Sequence, residues 1–120
     1  MKGNVFLSEN AYIAKPLKHP ERLVKKLNKG KVLKSFYVVY MPFNKEKPEI
    51  TESRFFSLQY MRSSRIEVIC LCKYKEDALE YIRCLTEASV SFFDDICYRE
   101  TLEKITPELI DSYFYKDLEE

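Results

Sequence analysis

Two short runs of this chain, Phe36-Tyr37-Val38-Val39-Tyr40 and Ile66-Glu67-Val68-Ile69-Cys70-Leu71-Cys72, are built almost entirely of β-branched, aromatic and other apolar residues. From Lys75 onward the apolar residues recur instead at helical spacing. Continuous runs of that length suit strands buried in a sheet, and the later period suits amphipathic helices that need a surface to cover. The front of the chain must therefore supply a sheet and the back must supply helices to pack on it. With 120 residues, a single domain accounts for the whole chain, residues 1–120.

The remaining elements follow from local signals. Residues 5–7 suit a short strand, with Ser8-Glu9-Asn10 as its turn. Pro20 stands where a first helical position tolerates a missing amide hydrogen, and Gly30 stands where a helix ends, which predicts a helix over 20–29. Leu23, Val24 and Leu27 give it a narrow apolar stripe, opposite Arg22, Lys25, Lys26 and Lys29. Residues 33–41 read as a largely buried strand stopped by Pro42, and 44–49 as a connection. Residues 54–61 fit both periods. The alternation of Phe56, Leu58 and Tyr60, with Arg62-Ser63-Ser64-Arg65 offering a tight link to 66–72, favours a strand in a hairpin.

Beyond Lys75, Ala78, Leu79, Ile82 and Leu85 trace one helical face, while Glu80, Arg83 and Glu87 line the other. Ser91-Phe92-Phe93-Asp94 has the spacing of a capping box, predicting a second short helix near Phe92. Thr106-Pro107-Glu108 opens a last helix with Leu109, Ile110, Tyr113, Phe114 and Leu118 on its apolar face, and acids at its end predict a frayed tail. The expected fold is α+β: a small antiparallel sheet of three or four strands with helices packed on one face. A ferredoxin-like topology is one candidate, although no good final strand follows residue 88.

Most familiar chemistries lack their residues. Two glycines cannot supply phosphate-cradling loops or a Gly-x-Ser-x-Gly elbow. The longest apolar run, 36–41, is six residues, against the roughly 20 that span a bilayer. The first residues do not form a secretory leader, and no Asn-x-Ser/Thr acceptor accompanies the four cysteines, so a cytoplasmic protein with reduced thiols is expected. Cys70 and Cys72 share one face of a strand, and Cys84 on the next helix can meet them there; small buried hydrophobes produce the same arrangement, and core thiols are the preferred reading over zinc or redox chemistry. His19 has no second histidine to join it. Glu76-Asp77 and Asp94-Asp95 diverge as neighbours, leaving a metal nuclease built with Glu52 or Glu67 as the weakest alternative. No catalytic residue, metal ligand or cofactor is assigned.

Charge is the strongest functional signal. The net of +1 conceals 15 Lys/Arg against 6 Asp/Glu in residues 1–74 and 5 against 13 in residues 75–120. Residues 15–34 hold eight basic side chains and one acid, Glu21. Those cations either solvate a face, meet the chain's own carboxylates, or wait for a partner. The expected site is Arg22, Lys25, Lys26, Lys29, Lys31 and Lys34, and the expected protein is a small non-enzymatic binding or regulatory protein, such as a virus- or phage-encoded modulator, that engages an anionic protein surface. Nucleic acid is the alternative partner, with Tyr37 or Tyr40 stacking bases beside the same lysines. An enzyme acting on an anionic small molecule stands third. A membrane is not expected as partner, since three apolar residues give the basic helix little to insert. Edge strands leave a homodimer open.

Overall fold

A computed structural model of the chain describes residues 5–29, 35–42, 45–56 and 65–114. The two apolar runs become the inner strands of a four-stranded sheet: β2 (Tyr37–Pro42) and β4 (Ile66–Cys72), flanked by β1 (Val5–Ile13) and β3 (Glu49–Glu52) in the order β1-β4-β2-β3. Burial on both faces explains their composition. Val38 and Val39 in β2 and Val68 through Cys72 in β4 are sealed from solvent, so alternation disappears from the sequence. The edge strands keep polar residues and are half-buried.

The antiparallel sheet expected from the sequence is corrected to a mixed one. β4 is antiparallel to β2, and β2 to β3, but β1 runs parallel to β4. Parallel neighbours cannot be joined by a tight turn, and the chain passes through a helix and two strands before β4 returns beside β1. Ser8-Glu9-Asn10 is not a turn. It lies inside β1, where the register jumps: Leu7 sits opposite Val68 and Tyr12 opposite Cys70, so five steps along β1 answer two along β4 and the surplus bulges.

The hairpin between 54–61 and 66–72 is also corrected. Residues 53–55 form a 3₁₀ turn, Phe56 follows as a buried turn residue, and both sides of β4 are already occupied by β1 and β2. The strand lies earlier, at Glu49–Glu52; residues 57–61 fall outside the described residues. The ferredoxin-like arrangement is not reached, since no strand follows β4 among the described residues.

Helices cover both faces of the sheet rather than one. Helix α1 (Pro20–Lys29) sets Val24 and Leu27 against Val38, Tyr40, Ile66, Val68 and Leu71. Helices α2 (Lys75–Phe93), α3 (Tyr98–Leu102) and α4 (Pro107–Tyr113) close the other face over Val39, Met41, Cys70 and Cys72. In α2 the buried line is Ala78, Tyr81, Cys84, Leu85, Ala88 and Ser89, whereas Leu79 is 54% exposed; that position is a correction to the expected face. The expected helix start near Phe92 is absent as well. α2 runs through Phe93 and ends at Asp94, whose left-handed backbone (φ 57°) returns its N–H to the Val90 carbonyl at 2.8 Å, a conformation aspartate tolerates better than most residues. α4 begins as expected, with the Thr106 hydroxyl accepting from the Leu109 N–H at 3.2 Å. No helix among the described residues is long and apolar enough to cross a membrane.

Candidate functional site

Helix α1 forms because its signals agree. Pro20 occupies the first position, Glu21 lies in the first turn, and Lys26 and Lys29 lie in the last, complementing the helix dipole. His19 stands just before it with a left-handed backbone (φ 58°), and its carbonyl accepts from the Arg22 and Leu23 N–H groups. The histidine side chain is exposed. Val24 and Leu27 hold the helix to the sheet.

A third anchor, Asn28, was not singled out by the sequence reading. Its side-chain amide accepts from the Val5 N–H at 3.0 Å and donates to the Val5 carbonyl at 2.8 Å. One asparagine thus does for the edge strand what a neighbouring strand would do, and clamps α1 to β1. The available signal was its place four residues after Val24, on the buried stripe.

The opposite side of α1 is a row of cations. Arg22, Lys25, Lys26 and Lys29 are all exposed, at helical spacings of three and four, over a rise of about 10 Å. Lys15 and Lys18, just before the helix, are exposed too. Among the described residues, no carboxylate lies within 4.0 Å of any of these six; the ion pairs are Lys45–Glu49, Arg54–Glu52, Arg83 with Glu80 and Glu87, and Arg99–Glu46. Lys31 and Lys34 lie outside the described residues.

The two tyrosines do not join this row. Tyr40 faces α1 but is 5% exposed, donates its hydroxyl to Glu49 at 2.9 Å and meets Phe56 edge-on. Tyr37 packs with the cluster on the other face of the sheet. Three positions apart in one strand, they point to opposite faces, so only one of them ever stood on the side of the basic helix, and that one is sealed.

The acids gather on the other layer. Glu76, Glu87, Asp94, Asp95, Glu100, Glu103, Glu108 and Asp111 are exposed on or beside α2, α3 and α4. The sheet separates them from α1. Several polar ties hold this layer. Arg83, placed by its helical period on an open face, instead bridges Glu80 and Glu87 and donates to the Tyr113 carbonyl at 2.7 Å. Tyr12 reaches from β1 to Asp111 of α4 at 2.5 Å, and its hydroxyl is held well above the usual tyrosine range by burial and by that carboxylate. Arg99 donates to the Pro42 and Lys45 carbonyls, tying α3 to the β2–β3 connection.

Cys70, Cys72 and Cys84 meet in one buried cluster, as their spacing predicts. Burial pushes the Cys84 thiol up to about 11 and raises Cys70 well above its ordinary value, keeping both protonated and poor as ligands or nucleophiles. No group of three or more His, Cys, Asp or Glu side chains is arranged to hold a metal among the described residues. Glu52 is engaged with Ser35 and Arg54. Comparison with known protein families, with curated proteins and with solved structures finds no match, so the functional reading rests on surface chemistry.

Proposed function

We propose that this chain is a small binding protein whose α1 face, Arg22, Lys25, Lys26 and Lys29, docks on an anionic surface of a protein partner. One observation carries the reading: these cations stand exposed, unpaired among the described residues, and separated by the sheet from the chain's own acidic layer. A solvated row that served only solubility would be free to mix with acids, as both signs usually do on a surface. Segregation gives the row a field that attracts negative charge and sets orientation on encounter. The nucleic-acid alternative keeps its phosphate-neutralising lysines but loses both tyrosines expected to stack bases beside them, because Tyr40 is buried and Tyr37 lies on the other face.

The test compares wild type with Lys25→Glu/Lys26→Glu/Lys29→Glu as immobilised baits, with and without nuclease, the captured proteins being read by mass spectrometry. Proteins held by wild type, insensitive to nuclease and lost from the variant support the reading. Capture that survives charge reversal overturns it, and capture that nuclease abolishes assigns the face to nucleic acid.

A further inference from the structure

We propose that the basic face of α1 in one molecule docks on the corner between α2 and α3 of a second copy, giving a head-to-tail, salt-sensitive self-association. The proposal rests on the reading of α1 as a docking face and names its partner.

The corner has both halves of a receptor for lysine-rich helix. Phe92 and Ile96 are exposed there at 38% and 54%. Asp94, Asp95, Glu100 and Glu103, on the same stretch of chain, are exposed too. Residues 92–104 hold these four acids against two cations, Arg99, turned to the β2–β3 connection, and Lys104, over the Phe93 ring at 5.3 Å. Lysine side chains carry an apolar stem and a charged tip. Stems laid against Phe92 and Ile96 would bring the ammonium groups of Lys25, Lys26 and Lys29 towards the carboxylates of the same stretch.

Within one molecule the two surfaces cannot meet, because they belong to helices on opposite faces of the sheet. Between molecules nothing holds them apart, since a net charge of +1 gives almost no long-range repulsion. Edge pairing is a poorer route to a second copy. Asn28 already takes both backbone groups of Val5, β1 bulges beyond Leu7, and β3 is four residues long with ion pairs at both ends. A head-to-tail contact leaves each molecule with one face unused, so association extends beyond a pair as concentration rises.

Sedimentation equilibrium tests this on the full chain. At about 0.01 M ionic strength, where screening reaches about 30 Å, the average mass of wild type should exceed the monomer and climb with concentration; at about 0.15 M it should fall towards the monomer. Lys25→Glu/Lys26→Glu/Lys29→Glu and Glu100→Lys/Glu103→Lys, each shown to be folded by circular dichroism, should each be monomeric alone. Mixed, they retain one intact surface apiece and should associate again. Wild type that stays monomeric at low salt overturns the proposal, as does self-association by either variant alone or a mixture that stays monomeric. Those failures leave the α1 docking reading intact whenever capture of a nuclease-insensitive protein is still lost on reversing Lys25, Lys26 and Lys29.

Discussion

The two faces of the sheet are covered by layers of different kinds. On one face the ten-residue helix α1 contributes Val24 and Leu27, is clamped by Asn28, and turns its cations outward. On the other, α2, α3 and α4 supply Ala78, Tyr81, Cys84, Leu85, Ala88, Ile105 and Ile110 to the core with their connections, and Arg83, Tyr12 and Arg99 lace the layer to itself and to the sheet. Among the described residues, more of the buried core and of the polar cross-links lies on the acidic side. Among the described residues, α1 is anchored by Val24, Leu27 and Asn28, with its cations exposed.

The largest expected effect tests where stability resides. Leu85→Ala in α2 should cost about 2–5 kcal/mol, because a fully buried side chain leaves a cavity in a crowded layer. Leu27→Ala in α1 should cost towards the lower end of that range, since a short helix held by two buried side chains can settle into the gap. Urea unfolding measures both, and equal losses would break the contrast between the layers.

Alkaline pH sharpens it. Tyr12 and Tyr81 are raised chiefly by burial, as are Cys70 and Cys84, and all four lie in or against the α2–α4 layer. A group whose folded value is raised contributes nothing unfavourable while both states stay protonated; stability is lost as pH climbs past the unfolded values, about 8.5 for cysteine and about 10 for tyrosine. Thermal unfolding followed from pH 7 upward should show that decline, and Tyr12→Phe should flatten part of it at a cost set by the lost bond to Asp111. A Tyr12→Phe profile that parallels wild type would refute the assignment.

How much of this was legible depends on how local each cause is. β2 and β4 could be read because strands buried on both faces must be apolar at nearly every position, and α1 and α4 because Pro20, Thr106 and Pro107 mark helix starts within a few residues. The parallel β1–β4 pair could not, since it depends on contacts between residues about 60 positions apart, such as Val5 and Ile66. Helix placement was equally hidden: the stripe of Leu23, Val24 and Leu27 looks the same whichever face it covers. Glu-Ile-Thr-Glu at 49–52 is too polar to announce a strand and forms one because β2 offers an open edge. At the site, exposure of Arg22, Lys25, Lys26 and Lys29 followed from helical period, whereas the loss of Tyr40 to the core followed from α1 and Phe56 closing over it.

The clamp between the layers' shared sheet and α1 should give the next effect. Asn28→Ala removes two partly buried hydrogen bonds and leaves the Val5 amide and carbonyl without their partner, which should cost about 1–3 kcal/mol. Hydrogen exchange localises the damage: the Val5 amide and the amides of α1 should lose protection while those of α2 keep theirs. Equal loss in both layers would mean that the two fold and open as one unit, and that α1 is no more independent than the rest.

The smallest effect on stability should come from the substitutions expected to matter most for binding. Lys25, Lys26 and Lys29 touch no carboxylate among the described residues and are exposed, so reversing one of them removes no stabilising pair, and surface changes of that kind usually stay within about 0.5 kcal/mol each. Glutamate at position 29 opposes the helix dipole and adds a few tenths more. A layer kept for its contribution to folding would respond in the opposite way, losing stability in step with its charge. If urea unfolding shows the triple variant several kcal/mol below wild type, the cations are structural and the division of labour between the two faces of the sheet is wrong.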